Sequence, residues 1–226
     1  MLELNKVYRR LLNIYGPQHW WPAETPFEVL VGAILTQNTA WKNVERAIRN
    51  LKEMKLLQPI ALLSAPLETL EQAIKPAGFY RLKAKRLKEA TKAFKELWPA
   101  DHMPLLKLRS RLLQVHGIGP ETADSIILYA FEKPTFVVDT YTKRFFHRLG
   151  FFKSEKTPYE VVKRFVESQI PPNLQLYKEF HALIVEHSKR FCRKSPHCDE
   201  CPLVECPRSF FTAGITTFDH PSSASR

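Results

Sequence analysis

Apolar residues recur at three- and four-residue spacing along most of the chain, and nowhere is the alternation of a half-buried strand sustained, so an all-α fold is predicted. Leu4, Val7, Leu11 and Leu12, with Ile14 and Tyr15 after them, mark an opening helix that Gly16-Pro17 ends. A loop holding Trp20, Trp21 and Pro22 follows. Thr25-Pro26-Phe27-Glu28 then combines a cap, a proline suited to the first helical position and a glutamate placed for the reciprocal capping-box bond. The same grammar returns at Thr157-Pro158-Tyr159-Glu160. The polar run Thr36-Gln37-Asn38-Thr39 separates the second helix from a third, which carries Trp41, Val44, Ile48 and Leu51 on one face. Pro59, Pro66 and Pro76 punctuate a region of short helices. A longer helix runs from Arg81 to Trp98, and others are expected over 104–115, 120–131, 140–149, 158–168 and 173–191. Residues 209–226 are small, polar and serine-rich, and read as a loosely held tail.

An apolar fraction of 44% over 226 residues supports a buried core and excludes a disordered chain. The longest apolar runs, Val29–Leu35 and Ser125–Phe131, are far shorter than the roughly 20 residues that span a bilayer. The first residues lack the pattern of a secretory signal, so a soluble cytoplasmic protein with no membrane partner is expected. Charge narrows the partner: 34 Lys and Arg against 23 Asp and Glu leave a net +11, which points to a polyanion, nucleic acid first. The outer face of the Arg81–Trp98 helix concentrates this excess in Arg81, Lys83, Lys85, Arg86, Lys88, Lys92 and Lys95. With only seven glycines, neither a GxGxxG nor a P-loop can be written.

Three local patterns carry chemistry. At His116-Gly117-Ile118-Gly119-Pro120 two helices meet in a tight reversal, with Ile118 as its core anchor and the glycines free to take positive φ. The second helix opens there, so its first-turn amides and dipole offer an anion site that reads no sequence. An ordinary αα-hairpin has the same outline. At Phe136-Val137-Val138-Asp139-Thr140 an apolar triplet delivers a carboxylate to a helix start, where Asp139 is either a plain cap or a functional acid. Finally, Cys192, Cys198, Cys201 and Cys206 crowd into fifteen residues with C-x5-C-x2-C-x4-C spacing. Zinc modules pair two CxxC or CxxH elements across a loop, and that pairing is missing; four thiolates on one loop followed by Pro207 suit an iron–sulfur cubane.

Taken together, the hairpin and the Val138-Asp139-Thr140 signature resemble the helix-hairpin-helix DNA glycosylases of the endonuclease III superfamily, over about Trp20 to Pro207. Trp20-Trp21-Pro22, Leu35–Thr39 and Lys75–Tyr80 are most similar to the 3-methyladenine DNA glycosylase III branch. The resemblance implies a two-lobed helix-hairpin-helix glycosylase fold with a C-terminal iron–sulfur cluster loop. One lobe would take 21–135, the other 1–20 with 136–208. It implies that Asp139, at a cleft between them, is the catalytic carboxylate, and that the cysteines hold a [4Fe–4S] cluster, although both outer gaps are one residue shorter than the usual C-x6-C-x2-C-x5-C. It also implies DNA contacts from Gly117, Ile118 and Gly119, and from Arg193 and Lys194 beside the cluster. Gln37 matches the residue that fills the gap left by a flipped nucleotide, and Trp20, Trp21 and Trp41 match a base pocket, although each tryptophan also suits a helical core. Strand-cleaving relatives carry a lysine nucleophile two residues after the second hairpin glycine; here Glu121 stands there, and a carboxylate forms no imine. Glu121 either tunes the pocket or is an exposed first-turn acid. The expected activity is therefore monofunctional hydrolysis of alkylated purines such as 3-methyladenine by a monomer on damaged double-stranded DNA, in the cytoplasm and held at the nucleoid through that DNA. Rivals are an endonuclease III-type enzyme for oxidised pyrimidines or mismatched thymine, and a non-catalytic DNA-binding module.

Overall fold

The computed structural model describes residues 3–204 together with 206 and 207; the expected tail at 209–226 lies outside them. Among the described residues every regular element is a helix. The first, α1 (Leu4–Tyr15), buries Leu4, Val7 and Leu11 and ends at Gly16, whose amide donates to Leu12 O at 2.8 Å with φ at 67°. A left-handed φ there is the reason for glycine. Next comes α2 (Pro26–Leu35), buried from Phe27 to its end. Thr25 Oγ1 accepts from Glu28 N at 3.1 Å as expected, but the returning carboxylate accepts from Glu24 N, one residue earlier than a regular capping box. Glu28 is also paired with Lys52 at 3.0 Å, which accounts for a buried acid in this place. In the second copy of the pattern, the Glu160 carboxylate pairs with Arg109 at 2.6 Å and Thr157 Oγ1 donates to Ser154 O.

Helix α3 (Trp41–Glu53) buries Val44, Ala47, Ile48 and Leu51. The prolines open or cap the short helices α4 (Pro59–Ser64) and α5 (Leu67–Ala73) and a 3-10 turn at Lys75–Ala77. The long α6 (Tyr80–Leu97) receives α4 and α5 on one side and α2 on another, while α8 (Pro120–Tyr129) packs on α2 and on α7 (Leu105–Leu113). Leu30, Val31, Ile34 and Leu35 of α2 are 0% exposed in this core, each contributing about 1.5–3 kcal/mol by burial. The chain continues with α9 (Thr140–Arg148), α10 (Tyr159–Gln169) and α11 (Leu174–Arg190). None of these helices is long and apolar enough to cross a membrane.

Two compact units divide the chain: His19–Val138 with Tyr159–His181, and Met1–Gln18 with Asp139–Pro158 and Ala182–Arg226. Tyr159–His181 thus groups with the hairpin, not with the cysteines where the expected boundaries put it. Its side chains explain this: Arg109 bonds Glu160, and Lys163 bonds Phe136 O at 3.4 Å.

The basic face of α6 also needs correction. Lys83 does not face solvent. It is 1% exposed, and its Nζ donates to Leu35 O at 2.8 Å, Thr39 Oγ1 at 2.7 Å and Ala77 O at 2.9 Å. Burial, then the charge of Arg86, pushes its pKa down to about 8. Lys88 likewise turns inward to Leu63 O and Ala65 O, which leaves Arg81, Lys85, Lys92 and Lys95 as the exposed cations of that helix.

Candidate functional site

The reversal between α7 and α8 is built on unequal glycines. Gly117 has φ at 90°, and a Cβ there would lie 2.6 Å from Arg86 Cδ and Nε, so this position needs glycine for conformation and for space. Gly119 was expected to share that role but is extended (φ −91°, ψ 179°) and serves as the backbone cap of α8, with nothing within 4 Å of where a Cβ would stand. Ile118, 5% exposed, anchors the turn as anticipated. Pro120 takes the first helical position and Glu121 sits exposed in the first turn.

Gln37 is brought to this hairpin. Its Nε2 donates to Gly117 O at 2.9 Å and Thr122 Oγ1 at 3.1 Å, while its Oε1 accepts from Arg86 at 2.6 Å. The polar run at 36–39 is therefore a brace between α6 and the hairpin, and Gln37 must break these three bonds before it can fill a gap in DNA. The same run is tied to the 3-10 turn by Thr39 Oγ1, which donates to Ala77 O at 2.5 Å. Just beyond stands Phe79, which the sequence placed within the Lys75–Tyr80 resemblance but gave no role of its own. It is 69% exposed with a left-handed φ of 46°. A bulky side chain in that conformation is an outlier that tends to mark function. The only hint in the sequence was a large aromatic after Gly78.

The three tryptophans do meet. Trp21 lies edge-on to Trp41 at 5.6 Å and 82°, and tilted against Trp20 at 6.1 Å. Gly32 makes room for it: a Cβ at that point of α2 would be 3.2 Å from Trp21 Nε1. Two further rings join them. Tyr129 packs on Trp21 at 5.2 Å and His181 on Trp20 at 5.6 Å, and the Tyr129 hydroxyl is 2.8 Å from His181 Nδ1. Trp20, Trp21 and Tyr129 line a cavity of about 600 Å³ whose far wall includes Trp98 and Phe131. Trp41 is held at the edge of this cluster by Nε1 donating to Glu45 at 2.9 Å.

In the other unit, Asp139 caps α9. Its Oδ1 accepts from Thr142 N at 2.7 Å and from Thr142 Oγ1 at 2.8 Å, which fixes the carboxylate at the start of the helix. Thr140, Tyr141 and Arg144 of α9 line a cavity of about 360 Å³ with Lys189, Arg193 and Lys194. The backbone carbonyls of Arg193 and Lys194 are held by Arg148, at 2.5 Å and 3.1 Å, and both side chains are exposed.

Cys192, Cys198, Cys201 and Cys206 are free thiols that line one cavity, walled by Phe145, Leu149, Phe191 and Leu203. Arg148 donates to Cys192 Sγ at 3.4 Å, and His187 Nε2 stands 3.7 Å from Cys201 Sγ. Among the described residues no three His, Cys, Asp or Glu side chains draw close enough to grip a single metal ion. A mononuclear site, with metal–sulfur bonds near 2.3 Å, needs tighter thiols than a four-iron cluster does. Four thiols lining one apolar cavity, with the Arg148 guanidinium donating to one sulfur, fit a cluster.

Residues 31–171 match the HhH-GPD superfamily of base excision DNA repair proteins. The chain is 54% identical over 207 residues to MJ1434 of Methanocaldococcus jannaschii, a protein named as a DNA repair glycosylase, with 88% of this chain and 93% of that one covered. It is also similar to the solved structure of the H. pylori 3-methyladenine DNA glycosylase MagIII bound to 1,N6-ethenoadenine (30% identity, TM-score 0.71, 84% and 98% covered). A non-covalent endonuclease III–DNA complex superposes with a TM-score of 0.79 at 25% identity, covering 95% and 99%.

Proposed function

From the premise that the chain belongs to the HhH-GPD superfamily and is a DNA glycosylase of base excision repair, we propose that it hydrolyses the N-glycosidic bond of flipped alkylated purines, 3-methyladenine above all, and leaves the strand uncut. The observation that carries this reading is the aromatic cluster of Trp20, Trp21 and Trp41 beside a 600 Å³ cavity. A purine methylated at N3 is cationic, and indole faces attract a cation through the ring quadrupole, by about 2 kcal/mol or more when desolvated. Its glycosidic bond is already weak, so the site needs little protonation of the leaving base. The likeness to a 3-methyladenine glycosylase with a purine bound supports the same substrate class.

Each part has a role in that reaction. The α8 N-terminus and Gly119, open above its Cα, receive a backbone phosphate through amides rather than side chains. The cavity lined by Arg144, Lys189, Arg193 and Lys194 receives another stretch of backbone. Phe79 and Gln37 occupy the duplex where the nucleotide has left, which requires Gln37 to release Gly117 and Arg86. Asp139, oriented by Thr142, stabilises the positive charge that develops on the sugar and directs water to C1′. Glu121 replaces the lysine that would attack C1′, so β-elimination has no nucleophile at this position. Cys192, Cys198, Cys201 and Cys206 hold a [4Fe–4S] cluster, which when bound clasps the loop that carries Arg193 and Lys194.

Base-release profiling tests the substrate. Methylated DNA, thymine-glycol duplex and G·T duplex are offered side to side; 3-methyladenine should dominate, and preferential release from either pyrimidine duplex overturns the assignment. Borohydride trapping on damaged duplex should give no covalent adduct. Brown protein whose visible absorption is lost in Cys198→Ser is expected, and colourless protein containing zinc contradicts the cluster.

A further inference from the structure

Tyr159, Lys163 and Glu167 stand at four-residue spacing on α10 and so share one of its faces. That face lies along Thr135–Val138, a segment outside the helices in which Thr135 and Phe136 are 0% exposed and Val137 and Val138 1%. Buried among helices, this segment has no ladder partner among the described residues, and two of its amides find side chains. Glu167 Oε1 accepts from Phe136 N at 2.9 Å, and the Tyr159 hydroxyl accepts from Val138 N at 3.4 Å. Between them Lys163 donates to Thr135 Oγ1 and to Phe136 O, and pairs with Glu167 at 2.5 Å.

Helix α8 supplies the other half. Asp124, 0% exposed, accepts from the Tyr159 hydroxyl at 2.8 Å and from Thr135 Oγ1 at 3.3 Å. Arg109 neutralises it through two bonds, 2.8 Å and 3.0 Å, and reaches Glu160 at 2.6 Å. Burial first, then the Asp124 charge, holds the Tyr159 phenol well above its ordinary value, so it remains the donor to Asp124 while its oxygen accepts from Val138.

We propose that Tyr159, Lys163 and Glu167, backed by Asp124 and Arg109, are positioning residues of the glycosylase: they clamp the backbone of Thr135–Val138 and thereby set the point from which Asp139 departs. This rests on the reading of Asp139 as the acting carboxylate. The ion pairs of this set add little net stability by themselves, because buried ion clusters give back most of their attraction in desolvation. What the polar set adds is direction: hydrogen bonds fix where the segment ends to within a fraction of an ångström, and a 1 Å misplacement near reacting atoms can cost about 10²-fold in rate.

The test uses the full chain with Tyr159→Phe, Glu167→Ala and Glu167→Gln. Three quantities are measured: single-turnover base release, affinity for duplex carrying a stable abasic-site analogue, and amide exchange at Phe136 and Val138. Tyr159→Phe and Glu167→Ala should slow release by about 10- to 10²-fold, leave affinity essentially unchanged, and speed exchange at Val138 and Phe136 respectively. Glu167→Gln keeps an acceptor for Phe136 N and should recover most of both losses. Unchanged exchange refutes the clamp. Faster exchange with a wild-type release rate refutes its role in positioning. If Asp139→Asn itself releases base normally, the catalytic reading fails separately, and exchange still decides whether the clamp exists.

Discussion

The helices α8 and α9 each begin beside a carboxylate, and they employ it differently. At the start of α9 the acid is the cap itself: Asp139 precedes the helix and its oxygen is taken by the amide and hydroxyl of Thr142. At the start of α8 the cap is Gly119, without a side chain, and Glu121 follows inside the first turn, exposed. The Asp139 carboxylate has a direction fixed by Thr142, whereas Glu121 stands exposed in the favourable field of a helix start. On the proposed reading, the first terminus serves chemistry on a charged sugar and the second holds an anion.

The sharpest way to break that contrast is Asp139→Asn. Asparagine caps nearly as well as aspartate, so thermal stability should hold while single-turnover base release falls by about 10²–10³-fold. Asp139→Ala should show the same loss of rate together with about 1 kcal/mol of stability from the missing cap. An Asp139→Asn protein that releases base at the wild-type rate reduces Asp139 to a cap.

Second in size is the support beneath the hairpin side. Lys83→Met leaves Leu35 O, Ala77 O and Thr39 Oγ1 without their shared donor, and should cost about 2–4 kcal/mol in a denaturant titration. pH gives an independent reading. With its folded pKa lowered to about 8, Lys83 in the folded protein loses its proton before it does in the unfolded chain, whose lysine pKa is about 10.4. Between those two values the unfolded chain binds more protons, so stability should climb as pH rises through that window. The Lys83→Met protein should lack that rise. A wild type that gains nothing there would mean Lys83 keeps an ordinary affinity for its proton.

Gly117→Ala and Gly119→Ala separate the two hairpin glycines. The first forces a left-handed φ on alanine and drives its Cβ into Arg86, and should cost about 1–3 kcal/mol and weaken DNA binding. The second is extended with open space, and should stay within about 0.5 kcal/mol. Any loss of DNA affinity in Gly119→Ala without loss of stability then reports a close approach of phosphate.

Much of this was legible in the residues alone, and what was not has a physical cause. Gly16, Thr25, Pro26 and Pro120 act through local backbone geometry, so their effects appeared where they were expected. Ile118 and the Val44–Leu51 stripe are burial signals of the same local kind. Lys83 was misplaced because a lysine at helical spacing looks the same on a wet face and beneath a loop; only the carbonyls of Leu35 and Ala77, distant in sequence, distinguish them. Tyr129 and His181 were missed in the tryptophan cluster for the same reason, since each is an unremarkable helical residue until the fold brings it to Trp21 or Trp20. The Tyr159–Lys163–Glu167 stripe drew no reading beyond a helix over 158–168, because two of its bonds go to backbone amides, which leave no trace in the sequence.

The smallest expected effect returns to Glu121. If Glu121 acts on DNA only through its charge at an anion-binding terminus, Glu121→Gln removes a repulsion of phosphate. DNA binding should tighten slightly, with base release unchanged within about threefold and the salt dependence of binding nearly the same, because no phosphate contact is gained. A fall in release well beyond that would move Glu121 into the pocket as a second working carboxylate. Glu121→Lys asks the complementary question. An amine at that position supplies the nucleophile that the wild type lacks, so borohydride should trap Glu121→Lys on damaged duplex and leave the wild type untrapped. Trapping of both proteins alike would show that imine chemistry here uses another amine. The asymmetry between the two helix starts would then stand as a feature of the fold without deciding whether the strand is cut.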